Sequence, residues 1–132
     1  MKSSTTTTEQ LLKEGLELAS ACAQVCQEMK AVKTTIIKVN GVSDLTDYFV
    51  IATANSTSHL KGVTNNVRKN ILESLKTDPV YQNPDHTSGW MVLDYINVMV
   101  HVFTEETRDL YDLERLWGDG EVIFEQEDIN QK

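Results

Sequence analysis

Residues 48–54, YFVIATA, form an almost wholly apolar run without a charged side chain. A strand covered on one face alternates apolar and polar residues, whereas a strand covered on both faces reads as a nearly continuous apolar segment. This stretch therefore belongs in the middle of a sheet with material packed on each side. At 132 residues, 40% of them hydrophobic, the chain has the size and apolar content for one ordinary core. The expectation is a single compact domain, residues 9–120, preceded by a disordered polar leader over residues 1–8 and followed by a C-terminal tail over residues 121–132.

The segments around the central run alternate in period. From Glu9 to about Lys30, Leu11, Leu12, Leu16, Ala19, Cys22, Ala23, Cys26 and Met29 recur at helical spacing, with Gly15 lowering the propensity of the first half. Thr34 to Val39 is rich in β-branched residues and closes on Asn40-Gly41, which predicts a strand and a turn. After the central strand, Asn55, Ser56, Thr57 and Ser58 are suited to cap a helix carrying Leu60, Val63, Val67, Ile71 and Leu75 on one side. A loop from about Thr77 to Ser88 leads to WMVLDY, 90–95, and NVMVHVF, 97–103, with a hairpin break around Ile96-Asn97. A last helix should start near Thr104, with Glu105 and Glu106 favourably placed against its dipole, and end at Gly118. The predicted order α, β, β, α, β, β, α is that of an α/β domain with a mixed sheet flanked by helices.

Charge narrows the partners. Twenty acidic residues against twelve Lys and Arg give a net charge of −8. Affinity for nucleic acid rests largely on neutralising phosphates, so direct binding to bare RNA or DNA is disfavoured, while a basic protein partner would be attracted. No apolar run approaches the roughly 18 residues of a membrane span, and MKSSTTTTEQ lacks the order of a signal peptide. The expected location is the cytoplasm. Cys22 and Cys26, four apart on the first helix, lack the further ligands of a metal site, and free thiols half buried on one helix face are the expected state.

Enzyme motifs are equally sparse. ANSTSH, 54–59, could hold a phosphate at a helix N-terminus, but the Gly-rich P-loop and GxGxxG patterns are absent. Nucleophile-elbow and HExxH motifs are missing, as is a pair of closely spaced carboxylates at a strand end that could hold two metals. The sequence does not point to an enzyme; a small nucleotide-binding or nucleotidyl-transferring enzyme is the alternative reading.

Two segments mix apolar and charged residues densely. In DLYDLERLWGDG, 109–120, Leu110, Leu113, Leu116 and Trp117 share one arc of a helix, and Tyr111, Asp112 and Arg115 the opposite surface. Asp112 and Arg115 form either a weak surface ion pair or part of a binding face, where Tyr and Arg are favoured residue types. In WMVLDY, alternation points Trp90, Val92 and Asp94 one way and Met91, Leu93 and Tyr95 the other. Asp94 needs solvent or a partner: backbone N–H groups, Arg108, Arg115 or a bound protein. His101, among valines, reads as a hydrogen-bonded sheet residue rather than a catalytic base.

Three segments in order, LTDYFVIATANSTSHLKGVTNNV (45–67), GWMVLDYINVMVHVF (89–103) and TRDLYDLERLWGDG (107–120), resemble the ribosomal silencing factor family, RsfS or Iojap-like, from about Leu11 to Gly120. The chain departs from the family where glycine commonly follows the Asp-Tyr of the hairpin, since Ile96 stands there. The resemblance implies a fold like that of nucleotidyl transferases without their catalytic signature, and no cofactor. It implies binding to the large ribosomal subunit through its universal protein fourteen, a basic protein on the intersubunit face. Joining of the small subunit would then be blocked sterically, repressing translation under starvation or in stationary phase. Carried over, the binding face comprises Trp90, Leu93, Asp94 and Tyr95 on the hairpin and Tyr111, Asp112, Glu114 and Arg115 on the last helix. The acids would meet Lys and Arg of the ribosomal protein, with Trp90 and Tyr111 as anchors. Homodimerisation through exposed strand edges and the apolar face of the last helix is a further expectation.

Overall fold

The computed structural model describes residues 7–83, 86–111 and 118–126; the side chains of His86 and Tyr111 lie outside that description. Along the chain run α1 (Thr8–Glu28), β1 (Val32–Lys38), β2 (Tyr48–Ala54), α2 (Thr57–Leu75), β3 (Tyr81–Gln82), a single 3₁₀ turn (His86–Ser88), β4 (Trp90–Asp94), β5 (Val98–Thr104), α3 (Glu105–Tyr111) and β6 (Glu121–Glu125). The six strands form one mixed sheet in the order β3-β4-β5-β2-β1-β6. Only β2 and β5 pair in parallel, from Tyr48 opposite Val98 to Ala54 opposite Thr104; the other pairs are antiparallel.

All seven residues of β2 are buried, as its unbroken apolar run requires. Its alternate side chains enter different cores. Tyr48, Val50, Ala52 and Ala54 join the larger one, where Leu18, Ala19, Cys22, Ala23 and Cys26 of α1 and Leu60, Val63, Val67 and Ile71 of α2 cover one face of the sheet. Phe49 and Ile51 point the other way, into a smaller cluster with Ile37, Val39 and Phe103 against which Trp90 and Met99 pack. Period two along one strand thus serves two apolar layers. Cys22 and Cys26 are free and fully buried rather than half buried. Burial pushes the Cys26 thiol up to about 12 and raises Cys22 well above the usual thiol range, with Cys26 adding to the latter.

Helix starts follow the small polar residues. Thr7 Oγ1 accepts the Gln10 N–H at 3.0 Å, so the first helix draws its cap from the threonine run, and helix begins inside the stretch read as leader. Ser56 Oγ likewise accepts the His59 N–H at 3.0 Å. The remainder of the expected leader, residues 1–6, lies outside the described residues.

Gly15 has a packing role. A Cβ there would stand 3.0 Å from Tyr48 Cε2 and 3.4 Å from Asn97 Nδ2, and the Tyr48 hydroxyl donates to the Leu12 carbonyl at 3.1 Å. The missing side chain, at a cost in helix propensity, lets α1 close on the sheet.

Two strands depart from the sequence reading. Tyr81–Gln82 pairs with β4 inside the expected loop; a two-residue edge strand is too short to show a period. Glu121–Glu125 pairs with β1 where the sequence reading placed a tail. Gln126 closes that end, its N–H donating to Thr34 O at 2.8 Å and its Oε1 accepting Thr34 N–H at 2.9 Å. All five residues of β6 are exposed, so the two-sided apolar signal that marks β2 does not arise at this edge. Helical structure is described to Tyr111; the expected continuation to Gly118 falls on residues outside the description.

Candidate functional site

The site begins with the β4–β5 hairpin. Trp90 faces Phe103, Val92 faces His101 and Asp94 faces Met99, so a turn centred on Ile96-Asn97 sets which side chains share a face. Trp90, Val92 and Asp94 are partly exposed on one side, while Met91 and Leu93 are buried on the other. The four hairpin residues expected to form a binding face are therefore separated. Leu93 is fully buried and Tyr95 nearly so, both in the core beneath the helices, and neither belongs to the surface that carries Trp90 and Asp94. The reason is the pleat: successive side chains cannot point the same way. Burial raises the Tyr95 phenol above its ordinary range, with Cys22 and Asp78 adding to the effect.

Trp90 is held by an aromatic arrangement. Its indole Nε1–H donates to His101 Nδ1 at 3.1 Å, and its ring lies 5.1 Å from that of Phe103. His101 meets Phe49 edge-on at 5.0 Å. Trp90 and His101 are diagonal cross-strand neighbours, within reach for large side chains. Because Nδ1 accepts, the neutral ring carries its hydrogen on Nε2, which is buried without a hydrogen-bond partner among the described residues. Burial lowers the His101 pKa to about 4. The histidine is thus a buried, hydrogen-bonded sheet residue that orients Trp90. Sequence reasoning placed it in the sheet but missed this contact, although a register centred on residues 96–97 contains the signal.

Asp94 Oδ1 accepts the Ile96 N–H at 2.8 Å, one of the partners expected for it. Arg108 is engaged elsewhere. It is buried on α3, donating from Nη1 to the Lys33 carbonyl at 2.6 Å and to Thr53 Oγ1 at 2.8 Å, and from Nη2 to Thr35 Oγ1 at 3.4 Å. Lys33 has φ +54 at the register shift in β1, so Arg108 fixes the last helix to an irregular point of the sheet. That role has no sequence signal, because Lys33 and Arg108 lie 75 residues apart. Tyr111 closes the described part of α3; Asp112, Glu114 and Arg115 lie outside the described residues.

Gly89, just before Trp90, has φ +83, and a Cβ there would fall 2.5 Å from Thr107 Oγ1. This close approach brings the start of β4 against the first turn of α3. Beside it, at the carboxyl ends of β2 and β5, is a cleft of about 460 Å³ lined in part by Ser56, Thr57, Thr104 and Thr107. Open α/β sheets commonly bind ligands at this position. Glu105 and Glu106 also line it and, among the described residues, no Lys or Arg does, so a phosphate would meet these carboxylates without a described cation to balance it. Among the described residues, no group of three or more His, Cys, Asp and Glu is placed to hold a metal ion, and no helix is long and apolar enough to cross a membrane.

The fold defines a class of mixed α/β domain already represented among solved structures. A crystal structure of a Chromobacterium violaceum protein superposes with a TM-score of 0.73 at 25% identity, covering 78% of this chain and 85% of that one. The family described as "Ribosomal silencing factor during starvation", RsfS, matches residues 12–132, and the chain belongs to that family. Among its relatives, "Ribosomal silencing factor RsfS" of Halalkalibacterium halodurans is 27% identical over 110 residues, which are 81% of this chain and 91% of the relative. The mouse "Mitochondrial assembly of ribosomal large subunit protein 1" is 33% identical over 85 residues, 62% of this chain and 37% of the relative.

Proposed function

We propose that this chain binds the large ribosomal subunit through its universal protein fourteen and, by occupying part of the intersubunit face, prevents the small subunit from joining. Membership of the silencing-factor family over residues 12–132 carries this reading. The mouse relative's name, which refers to assembly of the ribosomal large subunit, is consistent with the partner. The mechanism is steric: a folded domain excludes a second body from a surface without making or breaking a bond, and needs no cofactor.

The binding face we assign is the outward side of β4 together with the last helix. Trp90, oriented by His101 and Phe103, supplies one anchor, and Tyr111 a second. Asp94, with Asp112 and Glu114, meets Lys and Arg of the ribosomal protein; Arg115 adds a directional donor. The chain's charge of −8 favours encounter with a basic partner. Leu93 and Tyr95 support this face from beneath.

Sedimentation of the purified chain with large subunits from its own organism tests the proposal, with small subunits added afterwards. Wild type should co-sediment and reduce the fraction of joined ribosomes, and Trp90→Ala/Tyr111→Ala should do neither, since truncating a central anchor costs about 2 kcal/mol or more. An affinity within twofold of wild type for the double variant would refute the face. Absence of co-sedimentation by the wild type would refute the function.

A further inference from the structure

At the end of the sheet away from α3, three elements bring exposed aliphatic side chains together. Leu11 of α1 is 46% exposed, and Leu45, just before β2, and Ile96, at the tip of the β4–β5 hairpin, are each 65% exposed. With Asp44, Asp47 and Asn97 they line a cleft of about 370 Å³ at the amino ends of the two parallel strands.

Ile96 adopts φ +76, a conformation that favours glycine and is a marked outlier for a β-branched residue. The backbone is pinned there: Asp94 Oδ1 takes the Ile96 N–H at 2.8 Å, and the Asn97 N–H donates to Tyr95 O at 3.0 Å. Most of the side chain faces solvent, so packing within the domain does not compensate for the conformation. A bulky apolar group held at the apex of a strained turn suits a contact made with another molecule.

The frame around it is rigid. The Asn97 carbonyl accepts the N–H groups of both Asp47 and Tyr48 at 3.2 Å, tying the hairpin to β2. The α1 helix closes on Tyr48 and Asn97 at Gly15, which holds Leu11 beside the turn. The rim is acidic. Asp44 and Asp47 line the cleft, no Lys or Arg among the described residues does, and Asp47 and Glu121 both add to the rise of the Tyr48 phenol that burial chiefly causes.

We infer that this cleft docks a basic polypeptide segment, an aliphatic or aromatic side chain entering between Leu11, Leu45 and Ile96 while flanking Lys or Arg residues meet Asp44 and Asp47. The cleft adjoins the Trp90 face at Asp94, whose Oδ1 takes the Ile96 N–H, and extends away from Trp90, which lies four residues from Asp94 on β4, about 13 Å at the usual rise of a strand.

The test is an amide NMR titration of the full chain with the peptide acetyl-Lys-Arg-Leu-Lys-Leu-Arg-Lys-amide, and with a counterpart in which Glu replaces every basic residue. The basic peptide should shift Leu11, Leu45, Ile96 and Asn97 in a salt-sensitive way, and the acidic one should not. Leu45→Ser/Ile96→Gly should weaken binding at least tenfold with the fold intact, because glycine suits the turn; Asp44→Asn should weaken it severalfold. Equal shifts with both peptides, or none at these residues, would overturn the inference. So would shifts there that grow with protein concentration alone, which would assign the cleft to a second copy of the chain. No ribosome enters this assay, so its result is independent of the silencing test.

Discussion

Replacing Arg108 by alanine should be among the most damaging single changes to this domain. Arg108 is 8% exposed, and its bonds to the Lys33 carbonyl and Thr53 hydroxyl, 2.6 and 2.8 Å, are those of a charged donor; the 3.4 Å contact with Thr35 adds little. Two such bonds at about 1.5–3 kcal/mol each, less the desolvation recovered when the buried cation is removed, leave a net loss of about 3 kcal/mol. Urea unfolding of Arg108→Ala measures the total, and a double-mutant cycle with Thr53→Val isolates one bond, with an expected coupling of about 1–2 kcal/mol. Arg108→Lys keeps the charge but not the planar fork and should recover less than half of the loss. Hydrogen exchange should show the amides of α3 deprotected more than those of α2, since Arg108 anchors that helix. A loss under about 1 kcal/mol together with zero coupling would show that the reasoning about this anchor is wrong.

Three further outcomes are expected. Gly15→Ala adds about 1 kcal/mol of helix propensity yet should destabilise, because the Tyr48 ring 3.0 Å away is buried and tethered; a net gain in the unfolding midpoint would contradict that packing. His101 has a folded pKa of about 4, below its ordinary 6.5, so the unfolded chain takes up its proton first as pH falls. Stability should therefore drop from about pH 6.5 toward pH 4, by up to roughly 3 kcal/mol, and His101→Gln should flatten that part of the pH profile; identical slopes for the two proteins would rule this out. Cys22 and Cys26, fully buried with raised pKa values, should react with a thiol reagent only as fast as the domain opens, so rapid labelling of the native protein would show that α1 is not seated as described.

The candidate site was legible in part. Alternation along WMVLDY placed Trp90 and Asp94 on one side and Leu93 and Tyr95 on the other, and the burial pattern of β4 agrees with it. Family resemblance brought all four into one face, because a shared motif records which residues matter without separating those that touch a partner from those that hold the surface up. The His101–Trp90 bond follows from hairpin register, but only once the turn is centred on Ile96 and Asn97. Ile96 in a glycine-like conformation could be suspected only by comparison with relatives, since a φ angle leaves no mark in the residue itself.

Short-range physics determined much of this protein from sequence alone. An apolar run without alternation makes β2 a central strand, helical spacing on α1 and α2 makes their inner faces, and threonine and serine before them make their caps. These effects act within a turn or a pleat, so neighbouring residues encode them. Tertiary structure alone decided what joins distant segments: β6 along β1, Arg108 on the Lys33 carbonyl, and Leu11, Leu45 and Ile96 around one cleft. Each depends on where the completed sheet brings chain segments of unrelated local pattern, and on hydrogen bonds and contacts that exist only after the sheet has closed.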